Sequence, residues 1–217
     1  MYINQEDLRI GTKGIIDMYI STVDMGRERS QTNIKFLFEK YGVPNTMIEI
    51  GCFEGITTFW AAEFGKIHND KFKIYAIDPH TTENDNPSFD FKTIKRTFEY
   101  NLSKCLGNVE YINKYSYEAL VDLIQQKEKA EFIFVDGDHT SAAVLEDMIL
   151  SWRLLPVGGV MLCDDSIGWK LIDEHGNAPV QLSPRMGIEM FIQAYWHKIN
   201  LIHLPDSFQV AFEKLKE

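Results

Sequence analysis

Residues 46–60 read TMIEIGCFEGITTFW, and this stretch decides the fold. It begins with a short apolar run that stops at Gly51, which is typical of a β-strand. From Ile56 onward the apolar residues recur at helical spacing. A strand that passes through a glycine turn into a helix is the opening half of a βαβ unit.

The rest of the chain repeats this alternation of strand and helix. Further strands are predicted at 73–78, 109–115, 130–136 and 158–165, and helices at 33–42, 91–107, 117–126, 141–155 and 187–198. Two consecutive strands, 198–204 and 207–215, close the chain and can form an antiparallel edge. The alternation predicts an α/β fold, in which helices cover both faces of a mostly parallel sheet.

Length, charge and cysteine content exclude several classes of protein. The 217 residues suit a single domain, 1–217, in which 1–32 form an N-terminal helical preamble. We expect a cytoplasmic protein without a membrane partner, because no apolar run approaches about 20 residues and the N-terminus lacks a signal pattern. The net charge of −10 argues against a nucleic-acid partner. Three widely spaced cysteines without a CxxC pattern suggest neither a disulfide framework nor a zinc site.

The residues that follow the strands are the candidates for function, because ligands bind beyond the carboxyl ends of parallel strands. After the first strand, Gly51 and Gly55 let the backbone turn tightly and approach a ligand, and the next helix offers free N–H groups to an anion. Phe53 stands where the dinucleotide fingerprint G-x-G-x-x-G has its second glycine. The two glycines are also compatible with plain turn residues.

The second and third strands end in residues that suit a nucleoside. Asp78 ends the second strand, where an acid can bind both hydroxyls of a ribose. Ser116 and Tyr117 follow the third strand, where a hydroxyl and a ring can meet the edge and the face of a base. Each of these residues can instead cap the segment that follows it.

Acidic residues follow the fourth and fifth strands. Asp136 lies in VDGDHT, and Asp164 and Asp165 lie in VMLCDDS. If these strands are neighbours, about 4.8 Å apart, the three carboxylates meet and repel one another unless a cation lies between them. Carboxylate oxygens suit magnesium, calcium or manganese, so we predict a divalent metal site. The alternative is that Asp164 or Asp165 caps the next segment and that Asp138 opens the helix at Ser141.

His139 is a candidate general base, since histidine side chains titrate near neutral pH. It follows Asp136 by three residues and precedes a helix, beside the predicted metal site. A purely structural histidine is the alternative at this position.

Four segments together resemble the class I S-adenosylmethionine-dependent methyltransferases: IEIGCFEGITTFWA (48–61), IYAID (74–78), FIFVDGDHT (132–140) and VGGVMLCDDS (157–166). The combination of D-G-D-H with G-G-V-x-x-x-D-D is close to the metal-dependent O-methyltransferases, both the catechol type and the sugar type that modifies macrolide and aminocoumarin antibiotics. The resemblance covers roughly residues 33 to 217. It implies a Rossmann-like sheet of seven strands whose last strand is antiparallel, which agrees with the two closing strands.

The resemblance also implies roles for individual residues. Residues expected around S-adenosyl-L-methionine are Glu49 and Gly51 at its methionine end, Thr57 at its carboxylate, Asp78 at its ribose, Ser116 at its adenine edge, and Phe53, Gly55 and Asp136 nearby. Residues expected to coordinate Mg²⁺ or another divalent cation are Asp136, Asp164 and Asp165.

The general base has two candidates under this resemblance. The catechol type has a lysine base three residues after the first metal ligand, and His139 stands there in this chain. Some sugar-type enzymes have a histidine at that place, and others use the acid two residues after the ligand, here Asp138. Catechol enzymes have Asn as the last metal ligand, whereas this chain has Asp165, which favours the sugar type.

The expected activity is metal-assisted methyl transfer from S-adenosylmethionine to a hydroxyl of a small molecule, namely a sugar, a phenol or a polyketide. The loops 79–91 and 166–185 are expected to form an acceptor pocket or lid, with Phe89 and Trp169 as aromatic walls. Alternatives are a metal-independent methyltransferase acting on nitrogen or a carboxylate, and a non-catalytic S-adenosylmethionine-binding protein. Whether the chain forms a homodimer stays open.

Overall fold

A computed structural model of the protein describes residues 21, 28–81, 90–105, 107–167 and 180–217. Its strands are β1 (Thr46–Ile50), β2 (Lys73–Ile77), β3 (Val109–Ile112), β4 (Phe132–Val135), β5 (Val160–Cys163), β6 (Ile199–Ile202) and β7 (Val210–Lys214). Its α-helices are α1 (Glu28–Tyr41), α2 (Ile56–His68), α3 (Phe91–Leu102), α4 (Ser116–Gln125), α5 (Ser141–Leu154) and α6 (Pro184–Tyr195). Short 3-10 helices lie at Val180–Leu182 and Trp196–Lys198.

The strands form one seven-stranded sheet in the order β3-β2-β1-β4-β5-β7-β6. Strands β1 to β5 pair in parallel, and β7 runs antiparallel to both β5 and β6. This confirms the predicted Rossmann-like, mostly parallel sheet with an antiparallel last strand. The strand order reverses between β1 and β4, and such a switch point is where open α/β sheets bind their ligands.

The sheet separates two hydrophobic cores. Successive strand residues point to opposite faces, so Met47, Phe132 and Leu162 pack with α1, α2 and α3. Ile48 and Ile133 point the other way and pack with α4, α5 and α6. Because both faces are covered, β4 and β5 are continuous apolar runs without alternation.

Helix α1 begins five residues before the predicted start at Asn33. Ser30 is buried at its N-terminal end, and its hydroxyl oxygen accepts a hydrogen bond from Nε2 of Gln209 at 2.9 Å. This contact links the first turns of the helix to a residue near the other end of the chain, and the apolar repeat that begins at Asn33 does not include them. Residues 28–32 of the predicted preamble therefore belong to α1.

Two other elements end earlier than predicted, and near each of these ends an asparagine side chain contacts a neighbouring loop. In α3, which ends at Leu102 rather than at 107, the buried Asn101 amide donates to the carbonyl oxygen of Glu54 at 2.9 Å. After β3, the amide of Asn113 donates to the carbonyl oxygens of Asp78 at 3.0 Å and Pro79 at 2.7 Å. Both contacts support the loops at the switch point.

Some predictions concern residues outside the described ranges. These are residues 1–20 and 22–27 of the preamble, and the proposed pocket walls Phe89 and Trp169. Within the described ranges, no helix combines the length and the apolar character that a membrane crossing requires.

Candidate active site

The carboxyl ends of β1, β4 and β5 bring the predicted site residues to one edge of the sheet. The ladder of backbone hydrogen bonds continues one residue beyond the strands. The amide of Asp136 donates to the carbonyl of Ile50 at 2.8 Å, and the amide of Asp164 donates to that of Val135 at 3.0 Å. Asp136 and Asp164 are therefore neighbours, as the sequence predicted.

The loop between β1 and α2 requires both of its glycines. Gly51 has a φ of 83°, and a Cβ added there would collide with the carbonyl oxygen of Asp136. Gly55 has a φ of 81°, and its Cβ would collide with the ring of Phe59. Glycine is needed at both places for the turn and for the close approach of other atoms.

The N-terminus of α2 can receive an anion. Gly55 at the N-cap position offers no side chain to the first-turn amides, and no acid stands in that turn. The free N–H groups and the positive end of the helix dipole attract a carboxylate or a phosphate. Thr57, predicted at the cofactor carboxylate, lies half-buried in this first turn.

Glu49 is a buried acid in the middle of the sheet, 1% exposed, between Ala76 of β2 and Phe134 of β4. Burial raises the pKa of Glu49 to about 8, the Thr58 hydroxyl lowers it in part, and the charge of Asp78 raises it again. Its Oε2 has no hydrogen-bond partner among the described residues. Such a group is stabilised when a cationic donor approaches it.

Asp78 contacts the glycine loop, which comprises residues 51–55 between β1 and α2. Its Oδ2 accepts hydrogen bonds from the amides of Cys52 at 2.8 Å and Phe53 at 2.9 Å, and its Oδ1 accepts from the amide of His80 at 2.8 Å. A carboxylate has about four lone-pair sites, so about one is left for a ligand hydroxyl. The predicted ribose contact therefore has to share this carboxylate with the loop.

Ser116 is the first residue of α4, and its hydroxyl hydrogen-bonds to Asp147 of α5. Asp147 is 2% exposed, and burial raises the pKa of this carboxyl to about 7 while Ser116 lowers it in part. The Ser116 hydroxyl therefore already has a partner in the protein. The predicted contact with an adenine edge stays a prediction.

Asp136, His139 and Asp165 form a cluster at the ends of β4 and β5. One ligand atom from each lies within 4.8 Å of those from the others, and Nε2 of His139 is 2.9 Å from Oδ2 of Asp165. Two carboxylates and an imidazole fit a divalent cation. The cluster thus contains two of the three predicted ligands and adds His139, the predicted base.

Asp164, the third predicted ligand, borders this cluster. Its Oδ1 accepts from the amide of Asp165 at 2.8 Å. Burial, followed by the charge of Asp165, raises the pKa of Asp164 to about 6. Burial and the charges of Asp164 and Asp165 likewise raise the pKa of Asp136 well above its usual value. Three crowded acids of this kind lose their mutual repulsion when a cation binds among them.

Asp138, the other candidate base, is exposed and shapes the local turn. Its Oδ1 accepts from the amide of Thr140 at 2.6 Å. The N-cap of α5 is Thr140, whose hydroxyl accepts from the amide of Ala143 at 3.4 Å. Asp138 therefore closes the turn before the helix and does not itself cap it.

Comparison with known proteins identifies the family. A family model described as "Methyltransferase domain" matches residues 48–166, more than half of the chain. The chain belongs to this methyltransferase family. The match includes the glycine loop, Asp78, and the acidic residues after β4 and β5.

One relative and several solved structures are similar to the chain. The methyltransferase is 30% identical over 135 residues to "Uncharacterized protein R132" of Acanthamoeba polyphaga mimivirus; the match covers 61% of this chain and only 56% of that protein. The O-methyltransferase from Bacillus cereus in complex with SAH has a TM-score of 0.62 at 16% identity, with 97% of this chain and 90% of that chain covered. The N-methyltransferase NodS from Bradyrhizobium japonicum has a TM-score of 0.56 at 14% identity, with 89% and 100% covered.

A third solved structure is MycE from the mycinamycin biosynthetic pathway, in complex with Mg, SAH and mycinamycin VI. Its TM-score is 0.56 at 14% identity, with 84% of this chain and 48% of that chain covered. These likenesses show that the chain has the fold of these methyltransferases.

Three residues at this site were not predicted from the sequence. Gln209 hydrogen-bonds to Asp164 and to Nδ2 of Asn33 in α1, the latter at 2.8 Å. Asp147 lies beneath the loop after β4, close to Gly137. His80 contacts the glycine loop. Of the three, only His80 could have been selected from the sequence, because it lies two residues after Asp78, at the carboxyl end of a predicted strand.

Proposed function

We propose that this methyltransferase acts on a hydroxyl group of a small molecule and that a divalent cation assists the transfer. The observation that carries the proposal is the cluster of Asp136, His139 and Asp165 beside the glycine loop. An acidic cluster at this place suits an acceptor with two neighbouring oxygens, because such a diol can bind a shared cation.

The cofactor site is the loop between β1 and α2 and the strand ends on either side. S-adenosylmethionine supplies the methyl group on a positively charged sulfur. Glu49, buried and with an unpaired oxygen, binds its cationic amino group. The first turn of α2, at Thr57, receives its carboxylate, and Asp78 binds the ribose with its remaining lone pair.

The proposed metal ligands are Asp136 and Asp165 of this cluster, together with Asp164, which borders it; His139 is kept as the base and is not a ligand in this proposal. When bound, a divalent cation supplies a positive charge that orients two acceptor oxygens and lowers the pKa of the reacting hydroxyl. The three carboxylates offset that charge. Burial, followed by the charges of the neighbouring acids, raises the pKa values of Asp136 and Asp164, and a bound cation would favour both carboxylates.

The general base is His139. It lies at the metal cluster, whereas the carboxylate of Asp138 is exposed and accepts from the amide of Thr140. His139 takes the proton of the acceptor hydroxyl, and the carboxylate of Asp165, 2.9 Å away, stabilises the imidazolium that forms. Most of the remaining acceleration comes from holding the acceptor oxygen in line with the methyl group.

The MycE structure shares this fold and contains Mg together with SAH, so the fold is compatible with a metal ion beside the cofactor. The proposal is tested by incubating the purified protein with isotope-labelled S-adenosylmethionine and a panel of sugars, phenols, polyketides and amines, with Mg²⁺ or with excess chelator. We expect methyl transfer to a hydroxyl compound that the chelator abolishes. Transfer to an amine, or transfer that persists in chelator, would support the metal-independent alternative instead.

A further inference from the structure

Phe53 has a backbone conformation that its side chain disfavours. Its φ is 50°, in the left-handed region that glycine adopts freely and other L-residues avoid. Phe53 also stands where the related dinucleotide fingerprint has a glycine. Something outside the loop must therefore hold the peptide units on both sides of this residue.

The loop after β2 holds both of these peptide units. The amide N–H of Phe53 donates to Oδ2 of Asp78 at 2.9 Å. The carbonyl oxygen of Phe53 lies 2.6 Å from Nε2 of His80. Because a carbonyl oxygen only accepts, Nε2 of His80 carries the hydrogen.

His80 is itself fixed in place. Its side chain is fully buried, and its Nδ1 lies 2.6 Å from the hydroxyl of Tyr111 in β3. Its ring also packs on Phe98 of α3, with centroids 5.0 Å apart. The Tyr111 hydroxyl also donates to the carbonyl oxygen of Asp78 at 3.2 Å, so both ring nitrogens of His80 have partners that are themselves held in place.

We propose that Asp78 and His80 form a clamp that keeps Phe53 left-handed, in place of the glycine that this position would otherwise need. His80 is then a positioning residue for the cofactor-binding loop. This inference rests on the proposed role of residues 51–55 in binding the cofactor.

The clamp predicts a specific pattern of affinities for S-adenosylhomocysteine (SAH), measured by titration calorimetry. His80→Phe fills the same space but removes the donor, so we expect SAH to bind about tenfold more weakly. In the double variant Phe53→Gly/His80→Phe, glycine adopts the left-handed conformation without the clamp. Its SAH affinity should lie within a few-fold of that of Phe53→Gly alone.

Phe53→Ala is the matched control, because alanine also lacks the ring but keeps the Cβ that disfavours a positive φ. Phe53→Ala/His80→Phe should bind SAH about tenfold more weakly than Phe53→Ala. His197→Phe, at an exposed histidine before β6, should bind like the wild type. The clamp would be overturned if adding His80→Phe weakened SAH binding equally in Phe53→Gly and in Phe53→Ala. It would also be overturned if His80→Phe alone bound SAH like the wild type.

A second measurement does not depend on how the variants fold. In the ¹⁵N–¹H NMR spectrum of the wild type, we expect His80 to carry a hydrogen on Nε2 that exchanges slowly with solvent. A ring protonated on Nδ1 alone would contradict the clamp. If the wild type fails to bind SAH, the cofactor role of the loop fails, and this spectrum still decides whether the clamp exists.

Discussion

Nε2 of His139 lies 2.9 Å from Oδ2 of Asp165, which joins the loop after β4 to the loop after β5. Asp165 reaches this position with a φ of 52°, a left-handed conformation that non-glycine residues seldom adopt. Such conformations persist where surrounding contacts impose them, and they cluster at functional sites. The pair therefore supports His139 as a group that acts together with the acids of the metal cluster.

The first prediction separates the two candidate bases. His139→Gln should lower kcat at least about a hundredfold, since a positioned general base contributes that much or more. Asp138→Asn should lower kcat only a few-fold, because it perturbs the turn at Thr140 without removing the base. Initial rates with the best acceptor decide between them, and near-native turnover in His139→Gln would exclude this histidine.

The second prediction concerns proton release at Glu49. The pKa of this buried carboxyl is raised to about 8, so in the free protein it is protonated at pH 7. A cationic ligand favours the carboxylate, so SAH binding should release a proton below about pH 8. SAH affinity should then rise with pH, by at most about tenfold per pH unit, and level off above pH 8.

Calorimetry in buffers of different ionisation enthalpy measures this proton directly. Glu49→Gln should release none, whereas Glu110→Gln, at an exposed acid of β3, should behave like the wild type. Binding without proton release in the wild type would show that Glu49 does not meet the cationic group.

The third prediction concerns stability and Asp147. Burial raises the pKa of this carboxyl from 3.8 to about 7. Between these values the folded state keeps a proton that the unfolded state loses, so its contribution to stability falls as pH rises. The slope is at most about 1.4 kcal/mol per pH unit, and the loss is complete above about pH 7.

Denaturant titrations between pH 4 and pH 8 test this on Asp147→Asn, which has no carboxyl to ionise. The stability of the wild type relative to this variant should fall across that window. Glu110→Gln, at an exposed acid of β3 that does not act on Asp147, is the control and should show no such trend. A pH-independent difference between the wild type and Asp147→Asn would contradict the buried carboxyl as its source.

The sequence predicted the sheet because local signals and long-range packing agree there. The apolar runs at 46–50, 132–135 and 160–163 are strands buried on both faces, and each stops at a glycine or an acid. Acids that end neighbouring parallel strands necessarily meet at one edge, so the contact between Asp136 and Asp164 followed from the pattern.

Contacts between distant segments had no local signal. Gln209 contacts Asp164 and, in α1, Ser30 and Asn33, although it is distant from all three in sequence. Asp147 falls in an ordinary helical repeat, and only the packing of α4 on α5 reveals it beside Ser116. The direction of a side chain could not be predicted from the sequence either. Asp165 has a positive φ, and its carboxylate faces His139.

The most direct test of the account is a crystal structure with SAH and Mn²⁺, examined by anomalous scattering at the manganese edge. We predict one peak at the carboxyl ends of β4 and β5, in contact with Asp136 and Asp165. The peak should be absent in Asp165→Ala, which removes the ligand oxygens, and present in Asp70→Ala, which removes an exposed carboxylate before β2. SAH bound at the glycine loop of the wild type with no peak among these acids would contradict metal-assisted transfer.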